Sequence, residues 1–414
     1  MQIALLILAL ALLSACSSGS ERTAYSFRVF EEEGVTIAET AGGPKYEGEL
    51  FTYEPLVTMK EDEREESLLY RPSQFTMDED GWFYVYDSGD HCMVAYDPSG
   101  RFSHRFGREG QGPGEFRYPD IQCVEDGNVT LWDPSLRRAT RYTTDGVFQD
   151  VYTVKVSSGY SLSGFYYLPD DRRLLLGVDY GMEIDAREGP TPSVGATVID
   201  ASGDTVWTIT TPKVNTGYMA KIKLGDNEYE IPMTYPHSPY PYACYCRGLG
   251  IILGGDWKPE LDIYNLDGTM KRRVRIAMPP EPVSDEDRQS VNDYYERTIS
   301  EADDNMKEMM ESQWKAVRFS EYKAPWSGAE VDDAGYMWLE ISDIFDYERR
   351  VEEGVRYRLL SPEGEYLGIT RRPPGMTTEV RYGTLLANLT DEETGEYKLT
   401  AYTMEPAVDG FRYP

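Results

Sequence analysis

Short runs in which apolar and polar residues alternate recur along most of the chain, separated by turns that contain glycine and acidic residues. The pattern is clearest over residues 75–148, where acidic-Gly pairs separate successive runs. Alternation with a period of two is typical of β-strands with one buried face, and an acidic-Gly pair between two such runs indicates a tight hairpin. The pattern therefore predicts antiparallel β-structure.

Two stretches, 75–102 and 121–148, repeat the same order of four strands and their turns. The turn glycines lie 19 residues apart in each stretch, at Gly81 and Gly100 and then at Gly127 and Gly146. A unit of about 40 to 50 residues with four strands is the period of a β-propeller blade. These two stretches are interpreted as consecutive blades.

Fainter copies of this unit follow at 166–210, 246–276, 329–370 and 381–404. The last copy lacks a fourth strand, and the apolar segment 50–59 has the length to supply it. Pairing the first strand with the last blade would close the ring and remove free sheet edges. The sequence therefore predicts an all-β, six-bladed β-propeller over residues 50–414.

One segment departs from the strand pattern. Residues 284–318 carry apolar side chains at helical spacing, among them Trp314, and Ser284 precedes them as an N-cap with acidic residues in the first turn. We expect a helical insertion over residues 280–320, between blades four and five. Its apolar stripe is expected to pack against the ring.

The glycine-rich stretch at residues 106–116, FGREGQGPGEF, could be a phosphate-binding loop or a connection between strands. A Walker loop requires Gly-Lys-Ser/Thr after its second glycine, and here Pro113 follows, which has no amide hydrogen to donate. The glycine spacing also differs from the dinucleotide-binding pattern. We interpret the stretch as a connection between blades, with three polar residues as candidate ligand contacts: Arg108, Gln111 and Glu115.

Residues 78–119 and 126–146, which contain this stretch, resemble the six-bladed β-propeller lipoproteins related to NHL repeats. In that family the segment GPGEF joins the outer strand of the first blade to the inner strand of the second. The resemblance implies the propeller architecture and an envelope location. It implies little about activity, because most members of the family have no assigned one.

The N-terminal sequence MQIALLILALALLSACSSGS is interpreted as an export signal. Its apolar run at residues 3–13 is too short for a permanent membrane span, and the run ends in LSAC, which resembles a bacterial lipobox. No Lys or Arg precedes the run, and the alternative is a buried strand with a chance cysteine. We expect a signal peptide at 1–15, lipidation of Cys16, a tether and strand region at 16–49, and residence in the cell envelope at the outer membrane.

The net charge of −31 excludes nucleic acid as a plausible partner, because such a field repels phosphate backbones. It suits cations, basic peptides or simple solubility. We expect a monomer whose membrane contact is the lipid at Cys16.

Catalytic signatures are sparse. The three histidines lack metal-ligand spacing, and no Gly-x-Ser-x-Gly motif is present. We expect no cofactor, and because carboxylates are abundant, the alternative is calcium. The remaining cysteines, Cys92, Cys123, Cys244 and Cys246, are interpreted as small buried residues.

Long connections at 181–195, 213–240, 280–320 and 343–354 are expected on one face of the propeller, where ligands bind by default. Residues 227–246 are predicted to form an open, proline-held loop with tyrosines suited to glycan or peptide. The candidate aromatic contacts are Tyr235, Tyr240, Tyr242, Trp257 and Trp314. The sequence favours a non-catalytic binding or scaffold module for a peptide, glycan or protein. The alternative is a divalent-cation-dependent, lactonase-like hydrolase or lyase with an acidic central channel.

Overall fold

The computed structural model describes residues 24–414, except 61–63, 156–159, 181–188, 342–344, 346, 375–376 and 391–394. The predicted signal peptide, Cys16 and the start of the tether lie outside the described residues. So do most of the 181–195 connection and part of the 343–354 connection.

Three strands precede the first blade: β1 (Ser26–Glu32), β2 (Val35–Ala41) and β3 (Phe51–Thr58). Blades 1 to 5 each contribute four antiparallel strands of their own. Blade 6 contributes three strands and is completed by β3. Blade 1 contains β4 (Pro72–Met77), β5 (Phe83–Asp87), β6 (Cys92–Tyr96) and β7 (Phe102–Phe106). Blade 2 contains β8 (Asp120–Glu125), β9 (Asn128–Asp133), β10 (Arg138–Thr143) and β11 (Phe148–Thr153). Blade 3 contains β12 (Tyr160–Tyr167), β13 (Arg173–Asp179), β14 (Ser193–Ile199) and β15 (Thr205–Thr210).

A separate hairpin, β16 (Gly217–Leu224) and β17 (Asn227–Thr234), lies between blades 3 and 4. Blade 4 contains β18 (Tyr242–Cys246), β19 (Gly250–Gly254), β20 (Glu260–Tyr264) and β21 (Met270–Ala277). After α1 (Asp285–Glu301) and α2 (Asp304–Lys315), blade 5 contains β22 (Gly328–Val331), β23 (Met337–Glu340), α3 (Tyr347–Glu353), β24 (Val355–Leu360) and β25 (Tyr366–Arg372). Blade 6 contains β26 (Thr377–Arg381), β27 (Thr384–Thr390) and β28 (Tyr397–Pro406), with β3 as its outer strand. The predicted six-bladed β-propeller is confirmed.

The ring closes through the N-terminal strand, as the sequence predicts. β3 pairs antiparallel with β28, from Phe51 opposite Pro406 to Thr58 opposite Thr400. The Asn388 side chain of blade 6 also donates a 2.7 Å hydrogen bond to the Pro72 carbonyl of blade 1. Strand pairing and a buried side chain therefore both join the two ends of the ring.

Residues 26–41 form a β-hairpin that is part of the sheet of blade 4. The β1–β2 hairpin adds to the outer edge of blade 4, where β2 pairs in parallel with β21, and the sheet reaches six strands. Ala38 is buried there among the core residues of blades 4 and 5. The chain then crosses blade 5, where Lys45 pairs with Glu365 at 2.9 Å, before it enters blade 6.

Aspartates at the ends of second strands hold the blades to the segments that precede them. Asp87 accepts hydrogen bonds from the amides of Tyr70 and Arg71, and Asp133 accepts one from the amide of Arg117 at 2.6 Å. Each carboxylate thus satisfies backbone donors at the start of its own blade's inner strand. Each carboxylate also accepts a hydrogen bond from an amide of the turn that follows it, from Gly89 for Asp87 and from Leu136 for Asp133.

The helical insertion occupies its predicted position between blades 4 and 5, but it is two helices rather than one. Ser284 is the N-cap, and its hydroxyl and Asp287 form a capping box. Ala302 has extended backbone angles, which end α1. The Trp314 indole donates a 3.0 Å hydrogen bond to Asn292 and stacks on Tyr295, so it fastens α2 to α1.

The prediction of an open loop over 227–246 is wrong. Residues 227–234 are β17 and residues 242–246 are β18, the inner strand of blade 4, so only 235–241 connect two strands. Pro232 is tolerated because, in the described residues, β17 pairs only with β16. The tyrosines and prolines of this segment made the period-two alternation of β17 difficult to recognise in the sequence.

Replacing Phe51 with Ala should weaken ring closure. Phe51 is buried, pairs with β28 and stacks on Trp338 of blade 5 at 5.7 Å between ring centroids. We expect the free energy of unfolding to fall by about 3 to 5 kcal/mol in urea titrations. Leu56→Ala is the matched control, because Leu56 lies in the same strand and is 59% exposed, and it should change stability by less than about 0.5 kcal/mol. Equal losses in the two variants would contradict this account of closure.

Candidate functional site

The connections between blades and those between second and third strands share one face of the propeller, here called the loop face. It carries residues 107–119, the β16–β17 hairpin and the α1–α2 insertion. The hairpin leans on α2, where the Tyr218 hydroxyl donates to the Ala316 carbonyl and Ser312 accepts from the Lys223 amide. The insertions therefore pack on one another and not only on the ring.

A cavity of about 290 Å³ lies on the loop face between the start of α1 and blade 5, and we call it the loop-face cavity. Its walls come from α1, from the strand β24, and from the segments that enter blades 4 and 5. Seven charged residues line it: Glu281, Glu286, Asp287, Lys323, Arg349, Arg356 and Arg358. His237, Trp326 and several serines complete the lining.

Lys323 holds two of the acidic groups in this cavity. Its ammonium lies 2.6 Å from the Glu281 carboxylate and 3.0 Å from that of Asp287. Burial alone would favour the neutral amine, but the hydrogen bonds to Glu281 and Asp287 outweigh it and raise the pKa of Lys323. The Asp287 carboxylate also caps α1, so this ion pair fixes the helix over the cavity.

Arg358 lies in the middle of β24, between Leu339 and Ile369 of the neighbouring strands. The residue is only 9% exposed, and burial lowers the pKa of its guanidinium. It lines the loop-face cavity together with Arg356, which is two residues away on the same side of the strand. The cavity thus combines an ion-paired lysine with two arginines on the strand β24.

The central channel contains a second cavity, of about 280 Å³, lined by the inner strands of blades 2 to 6. Two of its carboxylates are paired with arginines that also line it. Glu330 lies 2.8 Å from the buried Arg372, and Glu379 lies 3.5 Å from Arg381. Asp332, which also lines the channel, accepts hydrogen bonds from the Tyr336 amide and the Trp338 indole instead, so arginines offset only part of the acidic charge there.

Two cysteines line this channel, and in both burial raises the thiol pKa, to about 11 for Cys123 and about 12 for Cys244. Cys92 and Cys246 are buried, as expected. None of these four thiols forms a disulfide. Raised pKa values keep them protonated at neutral pH, so they are poor nucleophiles.

The glycine-rich stretch joins β7 to β8, which confirms that it is a connection between blades. Arg138 fixes it from inside by donating to the carbonyls of Gln111 and Glu115, at 2.6 and 2.5 Å. The Glu115 carboxylate accepts the Gly112 amide and pairs with Arg108, and these bonds, the amide first, lower its pKa. Gly107 has a positive φ of 71°, and a Cβ there would lie 2.3 Å from the Phe116 ring. The glycines therefore serve turn geometry and close packing.

The aromatic candidates are spread over the loop face and its edge. Tyr240 is 54% exposed, and its hydroxyl lies 3.3 Å from that of Tyr180. Trp257 donates to the Asn215 carbonyl, and Tyr235 packs on Tyr218. Tyr242 is only 7% exposed, with its hydroxyl accepting a 2.9 Å hydrogen bond from Trp326. Tyr240 and Trp257 are thus partly accessible, while Tyr242 belongs to the core.

None of the candidates named from the sequence lines the loop-face cavity. Its key residues, Lys323, Arg356 and Arg358, were missed because isolated basic residues in an acidic chain carry no motif. One signal was present in the segment VRYRLL at 355–360. In this strand Arg356 and Arg358 lie on the same face as Leu360, which is expected to be buried. Charged residues on a buried strand face indicate a candidate binding site.

In the described ranges, no group of three or more His, Cys, Asp or Glu residues is arranged to hold a metal ion.

The chain matches no protein-family model and no curated protein. Among solved structures it is similar to a member of the DUF4221 family from Bacteroides vulgatus, with 10% identity, a TM-score of 0.47, and coverage of 86% of this chain and 99% of that one. It is similar to virginiamycin B lyase from Staphylococcus aureus, with 11% identity, a TM-score of 0.35, and coverage of 87% and 90%. A calcium-binding protein, regucalcin, from Agrobacterium tumefaciens has 12% identity, a TM-score of 0.37, and coverage of 84% and 95%. These similarities are distant, and the fold assignment rests on this chain's own strand pairing.

Truncation to Ala should lower the stability of the protein strongly at Tyr242 and hardly at all at Tyr240. Tyr242→Ala should lower the free energy of unfolding by about 3 to 5 kcal/mol, because it empties a core position and leaves the Trp326 indole without its acceptor. Tyr240→Ala should change it by less than about 0.5 kcal/mol, because the ring is largely exposed. Thermal or urea unfolding of the two variants measures this. Similar losses in both would contradict the burial difference.

Proposed function

We propose that this protein is a lipid-anchored module of the cell envelope that binds a peptide, glycan or protein partner on its loop face. The observation that carries the proposal is the loop-face cavity, walled by α1 and by strands of the ring. Ligand sites are typically concave and largely preformed, with a few polar groups on rigid elements. A cavity of this volume suits one side chain or sugar unit of a larger partner rather than a whole one.

Exposed aromatic residues extend the candidate surface towards blades 3 and 4. Tyr180 and Tyr240 are 40% and 54% exposed, and their hydroxyls meet. Flat amphipathic rings of this kind suit glycan or peptide contacts. The partner would span this surface and the cavity, with the lipid tether holding the protein at the membrane.

A binding role is favoured over the cation-dependent hydrolase or lyase for a physical reason. A divalent cation requires carboxylates that are free to ligate it. The channel carboxylates Glu330 and Glu379 are each paired with an arginine, and in the loop-face cavity Glu281 and Asp287 are paired with Lys323. Displacing those partners would leave buried cations uncompensated.

Blocking the cavity tests the site. Ser290 lines the cavity from α1, and Ser290→Trp would fill part of it, whereas Ser300→Trp changes the same residue type at an exposed position of the same helix. Wild-type protein and both variants would be screened on arrays of envelope glycans and peptides, with the melting temperature of the apo protein as a folding control. We expect array binding to survive Ser300→Trp and to fall at least about tenfold in Ser290→Trp. Undiminished binding by Ser290→Trp would exclude the cavity as the site.

The anchor is tested separately. Within the described residues no helix could span a bilayer, and the proposed membrane contact is lipid at Cys16. Radiolabelled palmitate should enter the wild-type chain and not a Cys16→Ala variant, because the thiol is the acyl acceptor. Export of both variants serves as the control. Equal labelling of the two would refute the lipobox interpretation.

A further inference from the structure

Arg358 differs from the other buried arginines, Arg138 and Arg372, because none of the described residues accepts a hydrogen bond from its guanidinium. In the described part of the chain, no carbonyl, hydroxyl or carboxylate bonds to its guanidinium, and its Nε is buried without a partner. Most other arginines with a buried, unbonded Nε use their remaining nitrogens: Arg138 binds Gln111 and Glu115, Arg173 binds Asp171, Arg272 binds Glu363, and Arg372 binds Glu330. Arg358 has no such acceptor.

An unpaired, buried guanidinium is costly. Arginine stays protonated at any physiological pH, and removing its charge from water is unfavourable unless an anion or several acceptors replace the water. The position is also fixed, because Arg358 sits in a central strand of blade 5 beside the hydrophobic core that blades 4 and 5 share. The backbone of Arg358 therefore cannot leave the cavity wall without unpairing β24.

We propose that Arg358 binds an oxyanion, the carboxylate or phosphate-type group of a ligand that enters the loop-face cavity. This inference rests on the proposed function and names the ligand chemistry for the same site. The planar guanidinium presents paired N–H donors that match two oxygens of one such group. Arg356 lines the same cavity and adds positive charge, while Lys323 pairs with Glu281 and Asp287 and offsets one of their two negative charges.

The remaining acidic residue of the cavity, Glu286, is exposed on the first turn of α1. Like the net charge of −31, it disfavours loosely held anions at the rim. An anion that reaches Arg358 must therefore gain enough from direct hydrogen bonds to overcome this field. The cavity should then select ligands with an oxyanion and reject neutral analogues of the same shape.

The test uses the purified mature protein and two probes, sodium phosphate and sodium acetate, each titrated against sodium chloride at constant ionic strength. Calorimetry gives the dissociation constant, and thermal unfolding gives the melting temperature. The variants are Arg358→Met, which keeps an unbranched chain without charge, and Arg358→Lys, which keeps charge without the planar fork. Arg101→Gln is the control, because Arg101 is exposed in a turn on the opposite face.

We expect at least one probe to bind the wild type and Arg101→Gln saturably and to raise their melting temperatures. Arg358→Met should bind that probe at least about tenfold more weakly. In chloride alone Arg358→Met should melt higher than the wild type, because an unpaired buried charge is gone. Arg358→Lys should bind with intermediate affinity. Whether phosphate or acetate is the tighter probe identifies the source of the oxyanion.

Two results would overturn the proposal. One is a phosphate and acetate response that is non-saturable and equal in the wild type and Arg358→Met, which is the general effect of these salts on folded proteins. The other is an Arg358→Met variant with a lower melting temperature in chloride and undiminished anion affinity. A partner from the glycan and peptide arrays that still binds Arg358→Met but not Ser290→Trp would refute the oxyanion role and leave the cavity as the binding site.

Discussion

The pairing of β3 with β28 is the contact on which the rest of the structure depends. Residues at opposite ends of the chain become neighbours there, and blade 6 is a complete sheet only because of it. The blades pack face to face around the ring, so an open ring would expose the hydrophobic surfaces of two blades at once. Closure is therefore cooperative, and the loop face exists in one arrangement only when the ring is shut.

Blades 4 and 5 are the most elaborated part of this ring. The β1–β2 hairpin widens blade 4, and the α1–α2 insertion covers its junction with blade 5. The N-terminal segment crosses the same junction, with Thr40 accepting the Tyr366 amide at 2.9 Å. The candidate site lies at this junction, where these added elements support the strands that carry its charged side chains.

Buried charge is handled in two ways in this protein. In the central channel the carboxylates of Glu330 and Glu379 match Arg372 and Arg381, so each of these two arginines has an anionic partner. In the loop-face cavity Lys323 is matched and Arg358 is not. Arg138 and Arg372, the other buried arginines in the described residues, have hydrogen-bond acceptors, and this difference is the reason for proposing Arg358 as a ligand contact.

The sequence by itself determined the strand repeat, the number of blades, the closing strand, the connection at residues 106–116 and the Ser284 cap. The repeat, the connection and the cap depend on turn chemistry or periodicity that acts within a few residues, whereas the number of blades and the closing strand follow from counting the strand repeats along the chain. The tertiary structure alone decided that β2 joins blade 4 in parallel, that residues 227–234 form a strand, that Tyr242 is buried, and that Arg358 faces a cavity. Burial and ion pairing depend on residues that lie far away in the chain, as Trp326 does from Tyr242 and Lys323 from Glu281. Local patterns therefore predicted the scaffold, whereas the site required the packed ring.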